Sequence, residues 1–81
     1  MDRQFNGKGV VRAISYPGVA PNPAVRVTLD CADGPVLLVF QSRMNLHAIG
    51  IGQTLKVAGN CVMQGKIRII YNPQYEIIAL Q

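Results

Sequence analysis

The sequence predicts an all-β fold, a single small barrel of five strands. Three observations carry this expectation. Short runs rich in β-branched and apolar residues recur between clusters of Gly, Pro and Asp. Two of those runs alternate apolar and polar residues on either side of Asp33-Gly34. One segment alone, Ser42 to Ile49, has a helical pattern, and it falls between the third run and the fourth.

The first run, Lys8 to Tyr16, is rich in Val and Ile, and residues 1–6 before it read as a flexible tail. Residues 17–23 hold Pro17, Gly18, Pro21, Asn22 and Pro23. Prolines fix φ and remove backbone donors, so this stretch is a loop rather than a regular element. The second run, Ala24 to Cys31, places Val25, Val27 and Leu29 on one face and Arg26, Thr28 and Asp30 on the other. That period of two marks a half-buried strand. Asp33-Gly34 then predicts a two-residue type I′ hairpin, whose central residues need positive φ. The pairing puts Leu29 opposite Leu38 and Val27 opposite Phe40 in the third run, Val36 to Gln41. Leu37, Val39 and Gln41 then share the outer face with Arg26 and Thr28.

Ser42 is positioned to cap a short helix holding Met44, Leu46 and Ile49, ended by Gly50 and Gly52. The fourth run is Gln53 to Val62, with Leu55 and Val57 inward, Lys56 outward and Gly59 as a bulge or barrel corner. Gln64-Gly65 turns the chain into the fifth run, Lys66 to Tyr71. Its pattern is read with Ile67 and Ile69 inward and Lys66, Arg68 and Ile70 outward. Asn72-Pro73 interrupts it, and Tyr75 to Leu80 resumes extended structure. Three strands, a short helix and two strands is the order of an OB-fold, a five-stranded Greek-key barrel. An SH3-like barrel would place its helical turn before the last strand. Closure also removes the edges that such apolar strands would otherwise expose.

Eighty-one residues suit one domain, here spanning 1–81. Hydrophobic residues make up 49% and charged residues 15%. The second figure is well under the usual share of about 25%, which excludes a disordered chain. The longest charge-free stretch, Ala13 to Val25, holds three prolines and is too short to span a membrane. No basic segment followed by an apolar run opens the chain, and the expectation is a soluble cytoplasmic protein. The net charge of +4 favours polyanions, chiefly nucleic acid.

Catalysis has little material. There is one histidine, His47, the four acids are scattered, and neither a Gly-x-Ser-x-Gly turn nor a Walker-type loop occurs. No enzyme activity is expected. Cys31 and Cys61 lie thirty residues apart, neither in a Cys-x-x-Cys pair. A structural zinc site takes four ligands, so no metal or other cofactor is expected. Both thiols read as small apolar fillers at strand ends.

Asp33-Gly34, Leu38-Val39-Phe40, Ser42-Arg43, Leu46, Ile49, Gly52, Leu55, Val57 and Gly59 lead to the closing run Ile70-Tyr71-Asn72-Pro73-Gln74-Tyr75-Glu76. Together they resemble bacterial OB-fold nucleic-acid-binding domains. Such domains occur as short stand-alone proteins and as the wedge domain of RecG-type replication-fork helicases. The resemblance covers residues 7–80, and the closing run is its most specific part. It implies a non-catalytic domain that binds single-stranded or branched nucleic acid, DNA by expectation, with little sequence preference. Its role would be accessory to replication, repair or recombination.

In an OB domain the binding groove crosses strands two and three between flanking loops. The candidate cations are Arg26 on strand two, Arg43 just after strand three, Lys66 and Arg68 at the start of strand five, Lys56 on strand four and Arg12 on strand one. Tyr16, at the mouth of the Pro-rich loop, either stacks a base or covers the barrel end. Phe40 reads as core, and Tyr71 and Tyr75 read as rings packing the closing strand. The alternative is a protein-interaction or assembly module with no nucleic-acid binding. A second copy or a partner protein would then dock on an apolar outer strip of Leu37, Val39 and Ile70.

Overall fold

The computed structural model describes residues 3–19, 21–42, 46 and 48–79. It contains strands β1 (Arg3–Ser15), β2 (Ala24–Cys31), β3 (Gly34–Gln41), β4 (Thr54–Gln64), β5 (Ile67–Tyr71) and β6 (Gln74–Ala79). Five of them close into a barrel in the ring order β1-β2-β3-β5-β4, with β4 pairing back onto β1. β6 continues the path of β5 beyond Asn72-Pro73 and takes the same side of β4. β3 and β5 run parallel, while the other pairs are antiparallel. This small closed barrel is consistent with an OB-like fold.

Closure depends on β1, which serves two neighbours. Its first part, Arg3 to Val10, pairs with β4, and its second, Gly9 to Ser15, pairs with β2. The expected tail is therefore strand from Arg3 onward. Gly9 pairs with both Cys31 and Leu55. A Cβ at Gly9 would lie 2.5 Å from the Asp30 carbonyl oxygen, so a side chain there would push β2 away. Arg12 is the extra residue of a bulge between the pairs Val11–Leu29 and Ala13–Thr28. Bulges bend a strand and sharpen its twist, which lets β1 turn the corner.

The barrel interior is filled by Val11, Val25, Val27, Leu29, Val36, Leu38, Phe40, Leu55, Val57 and Ile70. Each such side chain contributes about 1.5–3 kcal/mol when buried. Leu46 and Ile49 close one end. The helix expected to carry them is not seen among the described residues. Ser42 and Ala48 have φ of 59° and 70°, which no α-helix accommodates. Gln53 holds this segment instead. Its Oε1 accepts from Gly50 N at 2.7 Å, and its Nε2 donates to Ala48 O at 2.8 Å. Gln53 O in turn accepts from Val11 N at 2.8 Å. Met44, expected within that helix, lies outside the described residues, as do Arg43 and His47.

Two registers differ from expectation. The first hairpin turns at Ala32-Asp33, with Cys31 opposite Gly34, Val27 opposite Leu38 and Val25 opposite Phe40. Positive φ falls on Gly34, at 123°, and not on Asp33, so the turn is not type I′. The slip is by two residues, so every side chain keeps its face. On β5 the faces are inverted. Ile70 is fully buried in the core, while Ile67 is 56% exposed. The hairpin at Gly65-Lys66 sets Gln64 opposite Ile67 and Cys61 opposite Ile70. Cys61 lies on the inward side of β4, in line with Leu55 and Val57, so Ile70 follows it inside.

Candidate nucleic-acid interface

The registers align the outer-face side chains in rows across the sheet. One row runs Ser15, Arg26, Val39, Tyr71. The next runs Ala13, Thr28, Leu37, Ile69, Val62. Val39, Ile69 and Ala24 are buried in a second apolar cluster, with Leu37 and Val62 packed against it. The expected apolar strip of Leu37, Val39 and Ile70 is therefore not open. Ile70 points into the barrel, Val39 is only 4% exposed and Leu37 is half-buried.

A groove of about 730 Å³ opens over the first row. The loop residues Pro21, Asn22 and Pro23 wall one side, Val39 lies among the lining residues, and Arg26, Gln41, Ser42 and Tyr71 present polar groups. Tyr71 is 41% exposed, and its hydroxyl accepts from Gln64 Nε2 at 3.1 Å. Asn72, at a φ of 52°, turns the chain after it, a left-handed position that Asn tolerates. Asn72 N donates to Val39 O at 2.7 Å. Its side chain accepts from Gln41 N at 2.8 Å and donates to Gln41 Oε1 at 3.0 Å.

A second groove, of about 490 Å³, lies at the other end of the same face. Pro35, Leu37, Met63 and Ile67 give it an apolar lining, and Arg12, Lys66 and Arg68 stand around it. Two of these cations are already engaged. Arg12 pairs with Asp30 at 3.2 Å. Arg68 donates to both carboxylate oxygens of Asp33, at 3.0 and 3.1 Å, and to Gly34 O at 2.7 Å. Its guanidinium also sits 5.7 Å from the centre of the Phe5 ring. Expected as a binding residue facing outward, Arg68 instead ties the β2–β3 turn to β5 and β1. These hydrogen bonds hold the Asp33 carboxyl below its ordinary value and push Arg68 up. Burial pushes the nearby Cys31 thiol up, so it stays protonated and poorly nucleophilic at neutral pH.

The candidate residues therefore separate. Arg26 and Lys66 share the outer face at opposite ends and make no ion pair among the described residues. From Lys66 to Tyr71 the chain runs about 16 Å at strand spacing. Lys56 stands in another row, between Lys8 on β1 and Glu76 on β6, away from both grooves. Tyr16 is 52% exposed but lines neither groove. Arg43 lies outside the described residues. Tyr75 packs edge-on against Phe40, with ring centroids 5.5 Å apart.

Tyr71, Gln41, Gln64 and Asn72 were not among the sequence-derived candidates. The signal for Tyr71 was its alternation with Ile67 and Ile69. The sequence reading instead assigns its ring, with that of Tyr75, to packing the closing strand. Among the described residues no group of three or more His, Cys, Asp or Glu is placed to hold a metal ion, and no helix is long and apolar enough to cross a membrane. The chain matches no protein-family model and no curated protein, so the resemblance to OB-fold domains rests on its own residues and topology.

Proposed function

We propose that the barrel is an OB-fold that binds single-stranded or branched nucleic acid with little sequence selectivity and without catalysis. Its role is accessory to replication, repair or recombination. The observation that supports this best is the row Arg26–Val39–Tyr71 under an open groove. Single-strand binding requires a cation for the phosphate and a flat ring on which a base stacks, each stack giving about 1–3 kcal/mol. Arg26 and Tyr71 supply one of each, two strands apart. Lys66 adds a second cation at the far end of the face. Arg12 and Arg68 add little, because each already has a carboxylate.

This arrangement predicts a shallow salt dependence. Two phosphate contacts on a single strand give a log–log slope of about −1.4. The test is titration of fluorescent oligo(dT) over a salt series starting at about 50 mM. Binding at micromolar protein with that slope supports the reading. A second reading has one observation in its favour, the exposed Met63 and Ile67 beside Pro35 and Leu37 in the other groove. Apolar patches of this kind mark protein interfaces. Absence of oligonucleotide binding in the same titration selects that reading instead.

A further inference from the structure

A third groove, of about 370 Å³, adjoins the first on the side of Tyr71 away from Arg26. Gln4, Asn60, Asn72 and Gln74 line it with carboxamides, and no Lys, Arg, Asp or Glu is among its lining residues. Tyr71 is the one described residue that lines both this groove and the first. Strand pairing explains why they meet. Ile70 lies opposite Cys61 on β4, so the next residue, Tyr71, comes beside Asn60, and Asn60 lies opposite Gln4 on β1. The outer-face row Arg26–Val39–Tyr71 thus continues through Asn60 to Gln4, two strand spacings or about 10 Å beyond the ring.

Asn72 commits its amide to Gln41. Gln4, Asn60 and Gln74 are exposed and make no side-chain hydrogen bond among the described residues. A carboxamide both donates and accepts, so it can meet a base edge, a sugar oxygen or a phosphate oxygen without charge and without demanding one base. A nucleotide stacked on Tyr71 has a neighbour on each side along its strand. Toward β2 the strand meets Arg26, and toward β1 it meets these amides.

Resting on the nucleic-acid reading above, we infer that the third groove is an uncharged subsite into which a bound single strand continues past Tyr71. It lies on β1, β4 and the start of β6, off the β2–β3 face that carries Arg26. Because it holds no cation, it adds contact without adding to the salt slope.

The test is a gain of charge, which a loss of folding does not mimic. Gln4→Lys puts an ammonium at the far side of the groove, and Gln74→Lys repeats the experiment from β6. Ile51→Lys adds the same charge at an exposed turn that lines none of the three grooves. Each variant is titrated with fluorescent oligo(dT) over the same salt series. Gln4→Lys and Gln74→Lys are each expected to steepen the slope by about 0.7, the share of one new phosphate contact, and to bind about eightfold more tightly than the unaltered protein at about 50 mM salt. Ile51→Lys is expected to keep the unaltered slope. If oligo(dT) binds the unaltered protein and neither groove lysine steepens the slope beyond that of Ile51→Lys, the strand does not enter the groove. The subsite is then overturned while the functional reading stands. If oligo(dT) fails to bind the unaltered protein, the functional reading falls and the subsite falls with it.

Discussion

At the Arg68 end of the barrel two of the three cations, Arg12 and Arg68, are already paired with acids, whereas at the Tyr71 end Arg26 has no ion partner among the described residues. Arg68 has two carboxylate bonds, one carbonyl bond and the Phe5 ring. Arg26 has no ion partner among the described residues and lines the same groove as the exposed Tyr71. Two arginines of one barrel thus differ in what their charge can still do. Counting cations along a strand overstates an interface when acids from neighbouring turns have already met them. The apolar residues differ too. At the Tyr71 end Val39 is sunk in a packed cluster, whereas at the Arg68 end Met63 and Ile67 are exposed.

The largest effect expected is on stability, and it tests which face of β5 is inside. Ile70→Ala removes a fully buried side chain and is expected to cost about 3 kcal/mol in urea unfolding. Ile67→Ala removes an exposed one and is expected to stay within about 0.5 kcal/mol. Comparable losses at both positions would mean that the barrel places neither end of β5 as described, and the contrast between Arg68 and Tyr71 would go with it.

Next in size is a double dissociation between the two arginines. Arg26→Ala should weaken oligo(dT) binding and flatten the salt slope by about 0.7, the share of one phosphate contact, while leaving the melting temperature nearly unchanged. Arg68→Ala should do the reverse. It lowers the melting temperature, by less than Ile70→Ala does, and leaves the salt slope alone. If Arg68→Ala flattens the slope as much as Arg26→Ala, its guanidinium is exchanging Asp33 for phosphate, and the two ends of the face are alike after all.

The barrel was legible in the sequence because its cause is local. Alternation in Ala24–Cys31 and Val36–Gln41 predicts both strands and their inner faces, and the observed two-residue slip of the hairpin changes neither. β5 was not legible in the same way. Ile67, Ile69 and Ile70 offer an apolar side chain to both faces, so alternation does not choose between them. The choice is made by the Gly65-Lys66 turn and by Cys61 opposite Ile70, a contact between strands rather than a pattern within one. That single inversion accounts for Arg68, which the pattern turns outward as a ligand. The segment after Ser42 failed for another reason. Its capping pattern is helical, but the positive φ at Ser42 and Ala48 and the Gln53 latch answer to Val11 on a distant strand.

The smallest effect expected is a pH dependence confined to the Arg68 end. Arg68 holds Asp33 below its ordinary value, so the folded protein binds that proton less readily than the unfolded chain does. The stability contributed by the pair is therefore fully present above the unfolded pKa of about 4, and it is lost as pH falls through the lower folded value. The measurement is the difference in melting temperature between the unaltered protein and Asp33→Asn, which cancels the titration of the other carboxyls. That difference should be constant from neutral pH down to about pH 4 and should shrink below it. It should also shrink in high salt, because the Asp33 side chain is largely exposed and the pair is screened. A difference that grows on acidification would mean that protonated Asp33 is the form the fold prefers. Arg68 would then be free to join Lys66, and the Arg68 end would become the more cationic of the two.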